Sequence, residues 1–159
     1  MGELRIRDAA RAVVLDPAHR VLLVRFDFPA KSLWAMPGGG VEVGETHEEA
    51  IRRELVEEAG LVEPSIGPAV WHRLHIIPFI GGRWDGQRER YFLVHTPAFE
   101  PEPQLSWEHL NAEYVFALRW WTLDELEETT EAFAPARLPE LVRDLVANGP
   151  PPATIDAGV

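Results

Sequence analysis

Apolar and polar residues follow a strand-like pattern along several short stretches of the chain. Residues 6–16 and 20–26 are rich in Val, Leu and Ile, and the turn-forming residues 17–19 separate them. Such a pattern predicts two paired strands. Further β-like runs cover residues 66–80, 89–96 and 114–121.

The pattern changes to a helical period over residues 46–59,. Thr46 with Glu49 three residues later predicts a capping box, and Gly60 suits the left-handed position that ends a helix,. An apolar stripe with a spacing of four residues should pack on a sheet, and it consists of Ile51, Leu55 and Ala59. Two shorter helices are predicted over residues 123–129 and 138–147.

Strands with interleaved helices predict an α/β fold in which helices cover a mixed sheet. The 159 residues fit one domain,, for which we expect the bounds 1–147. Residues 148–159, with the sequence NGPPPATIDAGV, are predicted to form a flexible tail,.

Composition narrows the classes of partner. The hydrophobic fraction is 46%, and no apolar run approaches the roughly 20 residues that a membrane span needs,, so we expect no membrane partner. A net charge of −11 disfavours polymeric nucleic acid,. The chain has no cysteine and no apolar leader at its start, which predicts a cytoplasmic location.

Three glutamates share one face of the predicted helix, namely Glu54, Glu57 and Glu58. Like charges at this spacing destabilise a helix, so a compensating cation is expected. Mg²⁺ prefers carboxylate, water and phosphate oxygens as ligands. The alternative is a solvated helix face on which Arg52 and Arg53 relieve the repulsion.

A glycine run, residues 38–40, precedes this helix. Its exposed carbonyls could add a metal ligand, and its missing side chains let a phosphate approach closely. From residue 39 to 61 the chain resembles the signature of the Nudix hydrolases: glycine, five residues, glutamate, seven residues, then Arg-Glu-aliphatic-any-Glu-Glu-any-Gly-aliphatic. All nine specified positions are filled, by Gly39, Glu45, Arg53, Glu54, Leu55, Glu57, Glu58, Gly60 and Leu61.

The resemblance implies an α/β/α sandwich with a mixed sheet. It also implies a metal-dependent hydrolase that cleaves the pyrophosphate bond of a nucleoside diphosphate linked to another moiety. The products would be a nucleotide monophosphate or phosphate. The family habit of pairing further predicts a homodimer.

Roles can be carried over position by position. Glu54, Glu57 and Glu58 would bind Mg²⁺ or Mn²⁺, with a backbone carbonyl of Gly38 or Gly39 assisting. Arg53 would orient a glutamate, with Glu57 expected, while Glu45 would support the geometry of loop and helix. The number of metal ions stays open, and so does the general base, whose candidates are Glu57, Glu58, Glu108 and Glu113.

The rest of the substrate should be recognised outside the signature. Arg25 and Arg88 could bind phosphates, although solvated arginines are the commoner finding. Trp84 could stack on a base, as could Phe28 or Trp34. The glycines at 38 and 39 complete the predicted substrate-binding set. Pro78 lies near a proline position of ADP-ribose-cleaving members, but the spacing is not a clean match.

Two other classes of protein compete with a hydrolase. The isopentenyl diphosphate isomerases resemble this fold but use an active-site cysteine, which this chain lacks. A non-catalytic nucleotide-binding or regulatory module should show a broken signature or an attached DNA-binding segment, and neither is seen. Processing of RNA ends would need a basic channel, which the net charge does not favour.

Overall fold

The strands form one mixed sheet in the computed structural model, which describes residues 2–77 and 82–159. In those residues the strands are β1 (Ile6–Leu15), β2 (Val21–Asp27), β3 (Ser32–Ala35), β4 (Gly38–Gly40), β5 (Ser65–His75), β6 (Gly86–His95), β7 (Val115–Trp121), β8 (Phe133–Ala134) and β9 (Ile155–Asp156). The helices are α1 (His47–Ala59), α2 (Trp107–Ala112), α3 (Leu123–Glu128) and α4 (Leu138–Asn148).

Strand β1 lies at the centre of the sheet, whose order is β8-β3-β2-β1-β6-β5-β9, with β4 paired to β1 and β7 paired to β2. It runs parallel to β6 along its whole length, from the pair Ile6 and Gly86 to the pair Leu15 and His95. With β2 it is antiparallel, and the register joins them at Leu15 and Val21. The glycine strand β4 pairs antiparallel with the middle of β1, so the glycine run is part of the sheet.

Helices cover both faces of the sheet, because successive residues of each strand point to opposite faces. Helix α1 closes one apolar core, to which β1 contributes Ala10, Ala12 and Val14. Helices α3 and α4 close the other core, to which β1 contributes Val13 and Leu15. This arrangement confirms the predicted α/β/α sandwich with a mixed sheet. No helix within residues 2–77 and 82–159 is long and apolar enough to cross a membrane.

Helix α1 begins and ends where its sequence predicts. Thr46 Oγ1 accepts a hydrogen bond from the Glu49 N–H at 3.1 Å, and the Glu49 carboxylate accepts one from the Thr46 N–H at 3.0 Å. Gly60 ends the helix with a φ of 73°, as a left-handed cap requires. The apolar stripe is fully buried at Ile51, Leu55 and Ala59, which fixes the rotation of α1 on the sheet.

The sequence pattern misses the shortest elements. Strand β3 has four residues and helix α2 has six, and neither displays a clear period. Strands β8 and β9 have two residues each. The β-like run over 66–80 ends as a strand at His75; its last three residues, Pro78 among them, lie outside the described part of the chain.

The C-terminal segment contacts the sheet. Strand β9 pairs in parallel with β5, joining Ile155 to Trp71 and Asp156 to His72. Ala157 is fully buried and its N–H donates to the His72 carbonyl at 2.8 Å. These contacts favour an ordered segment; the flexible tail over 148–159 stays a prediction, which amide hydrogen exchange at Ala157 would decide.

Candidate active site

Two of the three helix glutamates contact the glycine strand. Glu58 is 4% exposed, and its Oε1 accepts a hydrogen bond from the Gly38 N–H at 2.9 Å. A methyl group on Gly39 would lie 2.5 Å from Oε1 of Glu54, so any larger residue at this position would displace that carboxylate. The folded chain therefore brings the glycine run and the acidic face of α1 together, as the signature predicts.

Arg53 ties the acidic face to the loop that precedes the helix. Its Nε and Nη2 donate to the Glu45 carboxylate at 2.9 and 3.0 Å, and Nη2 also donates to the Gly40 carbonyl at 3.0 Å. Its Nη1 lies 2.9 Å from Glu54 and 3.5 Å from Glu57. The resemblance implies that Arg53 orients Glu57; Nη1 contacts Glu57, and its contact with Glu54 is shorter.

Burial disfavours negative charge on two of the glutamates. It is the main cause that raises the pKa of Glu58 well above its ordinary value, and the nearby Glu54 raises it further. Burial also raises the pKa of Glu54, although Arg53 opposes that effect. A hydrogen bond from Arg53 lowers the pKa of Glu45, so Glu45 and Arg53 form a satisfied pair while Glu58 lacks a counter-charge of comparable strength.

The donor set fits a hard divalent cation. Mg²⁺ and Mn²⁺ favour carboxylate and carbonyl oxygens, and a cation would offset the cost of the charge on Glu54 and Glu58. Within the described residues, however, no three His, Asp or Glu side chains already converge as a metal cage. Arg53 engages both Glu54 and Glu57, so a cation would compete with its guanidinium.

Sequence analysis does not single out Arg7, which lies beside the glycine run. A Cβ on Gly40 would overlap the Arg7 guanidinium. Burial is the main cause that lowers the pKa of Arg7, the charge of Arg11 lowers it further, and Glu54 and Glu113 act in the opposite sense. Among the described residues no carboxylate is within ion-pair distance of Arg7, whose side chain donates to Gln87 Oε1 at 3.3 Å.

A buried ionic network behind the glycine run is a second feature that sequence analysis misses. Glu89 is 2% exposed and accepts hydrogen bonds from Arg11 and Arg73, both at 2.7 Å. Burial alone would raise the pKa of Glu89, but Arg11 and Arg73 outweigh it and lower the pKa to about 2. The sequence gives no clear signal for this network, because Arg11 and Glu89 are not the only charged residues of β1 and β6.

The predicted substrate-binding residues outside the signature do not join the cluster of Arg53 and the glutamates. Arg25 lies on β2 and pairs with Asp27 at 3.0 Å. Arg88 is 59% exposed in its side chain and lies 3.5 Å from Asp8. Trp84 is half-buried between β5 and β6. Their proposed roles in substrate binding stay predictions.

The aromatic candidates differ in exposure. Trp34 is 5% exposed and packs edge-on against Trp121, with ring centres 5.2 Å apart; it belongs to the core and its face cannot meet a base. Phe28 is 37% exposed, stacks on Phe26 and lies 5.2 Å from the ring of Tyr114. Tyr114 itself is 46% exposed. Phe28 and Tyr114 thus form an exposed aromatic pair.

The two candidates for a general base outside the signature differ in their surroundings. Glu108 lies on α2 and is exposed. Glu113 follows α2 and lies close enough to Arg7 to raise the pKa of that guanidinium. Its carboxylate is 3.4 Å from Nε2 of His109 and is 60% exposed. Of the two, Glu113 is the one whose charge acts on Arg7.

Comparison with known proteins agrees with the fold and the signature. A family model described as the NUDIX domain matches residues 5–144. Nudix hydrolase 25 of Arabidopsis thaliana is 30% identical over 123 residues, covering 71% of this chain and 70% of that protein. An RNA pyrophosphohydrolase of Wolbachia pipientis is 39% identical over 106 residues, covering 62% and 64%.

The NUDIX domain of Shewanella oneidensis NrtR, solved in complex with ADP ribose, shares the fold. Its TM-score is 0.67 at 20% identity, with 91% of this chain and 90% of that chain covered. The family prediction made from the signature is confirmed by the family model and by the Arabidopsis relative. This chain belongs to the Nudix family of hydrolases.

Proposed function

We propose that the protein hydrolyses a diphosphate linkage in a nucleotide-like substrate with Mg²⁺ or Mn²⁺, releasing a nucleotide monophosphate or phosphate. The observation that carries the proposal is the buried hydrogen bond between Gly38 and Glu58. The Glu58 carboxylate lacks a strong counter-charge, and this bond attaches it to the glycine run, a backbone segment without side chains. The name of the Wolbachia relative, RNA pyrophosphohydrolase, adds support for cleavage of a pyrophosphate bond.

The helix glutamates are the proposed metal ligands. Glu54, Glu57 and Glu58 would hold the cation, and the Gly39 carbonyl would assist. When bound, the ion neutralises phosphate charge and lowers the pKa of a bound water. Arg53 keeps Glu54 and Glu57 close to the glycine strand through its contacts to both side chains and to the Gly40 carbonyl.

Arg7 is the proposed phosphate-binding residue. Its guanidinium is half-buried beside Gly40, and burial has already lowered its pKa. An anionic phosphate would stabilise this charge and could accept two hydrogen bonds from the planar fork. Hydrogen bonds to charged groups contribute about 1.5–3 kcal/mol, which corresponds to a change of about 10- to 100-fold in substrate affinity.

The proposed reaction is an in-line attack of water on phosphorus. The oxygen of water forms the new P–O bond, the bridging P–O bond breaks, and its electron pair leaves with the departing phosphate. The proton of the attacking water needs an acceptor, for which the candidates are Glu57, Glu58, Glu108 and Glu113. Replacing the residue that accepts the proton by Gln should lower kcat by about 100-fold or more.

The exposed pair of Phe28 and Tyr114 is the proposed contact for a nucleobase. Tyr114 directly follows Glu113, whose charge acts on Arg7, and this supports a base contact in the neighbourhood of the proposed phosphate contact. Aromatic faces stack on any base without demanding one hydrogen-bonding pattern. We therefore expect tolerance for several bases.

Release of phosphate or nucleotide from a substrate panel tests the proposal. The panel contains nucleoside triphosphates, nucleotide sugars, ADP-ribose and dinucleoside polyphosphates, each with and without Mg²⁺ or Mn²⁺. Glu57→Gln and Glu58→Gln should abolish turnover, whereas Glu48→Gln, on the exposed first turn of α1, should retain it. A folded protein that turns over no member would favour the non-catalytic nucleotide-binding module.

A second candidate substrate is the 5′ end of RNA, which the name of the Wolbachia relative favours. The net charge of −11 disfavours a long RNA,, so we expect small nucleotides to be better substrates. A 5′-triphosphorylated oligonucleotide added to the panel decides between them. A higher kcat/KM on the oligonucleotide than on every small member would select RNA.

We also propose that the protein acts in the cytoplasm as a homodimer. The absence of cysteine supports the location,, and the habit of the family supports the pairing. Cell fractionation tests the first statement. Sedimentation at micromolar concentration tests the second, and a mass of 17.9 kDa would identify a monomer.

A further inference from the structure

An arginine that the Nudix signature does not contain, Arg11, donates hydrogen bonds to the glycine strand β4 and to the segment that leads into it. Nη1 of Arg11 donates to the carbonyls of Met36 and Gly38 at 3.3 and 3.0 Å. The N–H of Gly38 donates to Glu58. Gly38 is therefore fixed on one side by Arg11 and on the other by a proposed metal ligand.

Arg11 is in turn held by Glu89. Nε of Arg11 donates to Oε2 of Glu89 at 2.7 Å, and only 12% of the arginine side chain is exposed. Oε2 also accepts from Gln87, and Oε1 accepts from Arg73 and from the Tyr91 hydroxyl. With four donors on one buried carboxylate, the orientation of Glu89 is closely defined.

Arg73 extends the network to the C-terminal segment. Its Nε donates to the Gly158 carbonyl at 2.9 Å, just beyond the buried Ala157. One continuous path of hydrogen bonds thus joins the segment after β9 to the acidic face of α1. Along the path lie Gly158, Arg73, Glu89, Arg11, Gly38 and Glu58.

We propose that Arg11 and Glu89 are positioning residues for the active site. They hold the Gly38 carbonyl so that the Gly38 N–H stays aligned with Glu58 and the glycine strand keeps its distance from Glu54. The inference rests on the proposed metal site. Residues behind the ligands commonly change metal affinity or activity by about 10- to 100-fold when replaced.

A purely structural role predicts a different outcome. If Arg11 merely neutralised Glu89, any cation at that position would serve. An ammonium keeps the charge but lacks the planar fork that reaches Glu89 through Nε and the two carbonyls through Nη1. Arg11→Lys therefore separates positioning from charge compensation.

The chain offers a matched control in the turn that follows β1. Arg20 donates through Nε to Asp16 at 2.7 Å, and the Asp16 side chain is fully buried. Neither residue touches the glycine strand or the glutamates in the structure. Arg20→Lys and Asp16→Asn thus repeat the chemistry of Arg11→Lys and Glu89→Gln away from the active site.

The test measures Mn²⁺ affinity by electron paramagnetic resonance, turnover on the best panel substrate, and hydrogen exchange of the Gly38 amide. In Arg11→Lys we expect Mn²⁺ binding about tenfold weaker, kcat about 10- to 100-fold lower and faster exchange at Gly38. KM should change less than about threefold, because substrate contacts are intact. Arg20→Lys should match the wild type in all three readouts.

Glu89→Gln should reproduce these losses, whereas Asp16→Asn should be destabilised without them. If Glu89→Gln does not fold, Arg11→Lys alone decides. A folded Arg11→Lys with wild-type Mn²⁺ affinity, kcat and exchange overturns the inference and leaves the proposed function standing. A wild type that binds no Mn²⁺ overturns the proposed function, and the inference with it.

Discussion

Gly38 and Glu58 are joined by a hydrogen bond of 2.9 Å between the backbone N–H of the glycine and Oε1 of the glutamate. The bond connects β4, which pairs with the central strand β1, to the last turn of α1. Because Glu58 is buried, the bond sets the position of a carboxylate that water cannot reach easily. The geometry of the acidic face thus depends on the backbone of the glycine run.

Two neighbouring glycines should respond differently to the same substitution. In Gly38→Ala the methyl group would overlap the Ala10 carbonyl oxygen, and the φ of 140° would be strained. We expect a loss of about 2–4 kcal/mol in the free energy of unfolding. In Gly39→Ala the methyl group would meet the mobile end of Glu54 at 2.5 Å. The fold should survive, with kcat/KM about 100-fold lower.

Urea denaturation and turnover on the best panel substrate check both outcomes. Gly44→Ala is the control for backbone strain, since Gly44 has a φ of 79° but no neighbour within 4 Å of an added Cβ. It should cost about 1 kcal/mol and leave turnover intact. Wild-type turnover in Gly39→Ala would contradict the assigned position of Glu54.

The helix of the active site could be predicted because its signals are local. The capping box joins Thr46 to Glu49, and the apolar stripe repeats every four residues within one helix, so neither depends on the rest of the fold. The signature adds Glu45, Arg53 and the three glutamates within the same short stretch. In the structure Arg53 contacts Glu45, Glu54 and Glu57, and Glu58 contacts the glycine strand.

The ionic network could not be predicted in the same way. Arg11 and Glu89 are 78 positions apart, and they meet only because β1 and β6 run parallel in one particular register. A shift of one residue would turn either side chain to the opposite face. Both strands carry several charged residues, and which of them become buried partners follows from the register.

Arg7 should control substrate affinity more than turnover. Arg7→Met keeps the length and the packing of the side chain but removes the charge proposed to bind phosphate. We expect KM to rise about 10- to 100-fold, with a smaller change in kcat. Steady-state kinetics on the best panel substrate give both constants.

Arg5→Met is the control. Arg5 lies two residues before Arg7, just ahead of β1. Arg5 pairs with Asp85 at 3.4 Å and is 58% exposed in its side chain, so its loss should leave KM unchanged. Equal effects of the two variants would show a general contribution of positive charge. An unchanged KM in Arg7→Met would remove Arg7 from the proposed site.

Glu89 should make the free energy of unfolding depend on pH in the acidic range. Its pKa is about 2 in the folded protein against an ordinary value of 4.5. A carboxyl with a lowered pKa contributes stability that is complete above the ordinary value and is lost as the pH falls toward the folded value. The free energy of unfolding should therefore fall between about pH 4.5 and pH 2, by an amount on the order of 3 kcal/mol.

Urea denaturation across this pH range compares the wild type with Glu89→Gln. The variant should be less stable at pH 7, because two buried guanidinium groups lose their counter-charge. Its curve should also be flatter in acid, since the titrating group is gone. Parallel curves would mean that other carboxyls cause the acid sensitivity.

Tyr114 should contribute to binding the base and not to chemistry. Its ring is 46% exposed and lies 5.2 Å from Phe28, and stacking of a base on an aromatic ring contributes about 1–3 kcal/mol. In Tyr114→Ala we expect KM to rise about tenfold for nucleotide substrates, with kcat nearly unchanged. The effect should vanish for inorganic triphosphate, which has no base.

Phe116→Ala is the control: it removes an exposed ring from the neighbouring strand β7 and should leave KM as it is. If Tyr114→Ala raised KM equally for inorganic triphosphate, the residue would act through the phosphate contacts, and the assignment of a base-binding pair would fail.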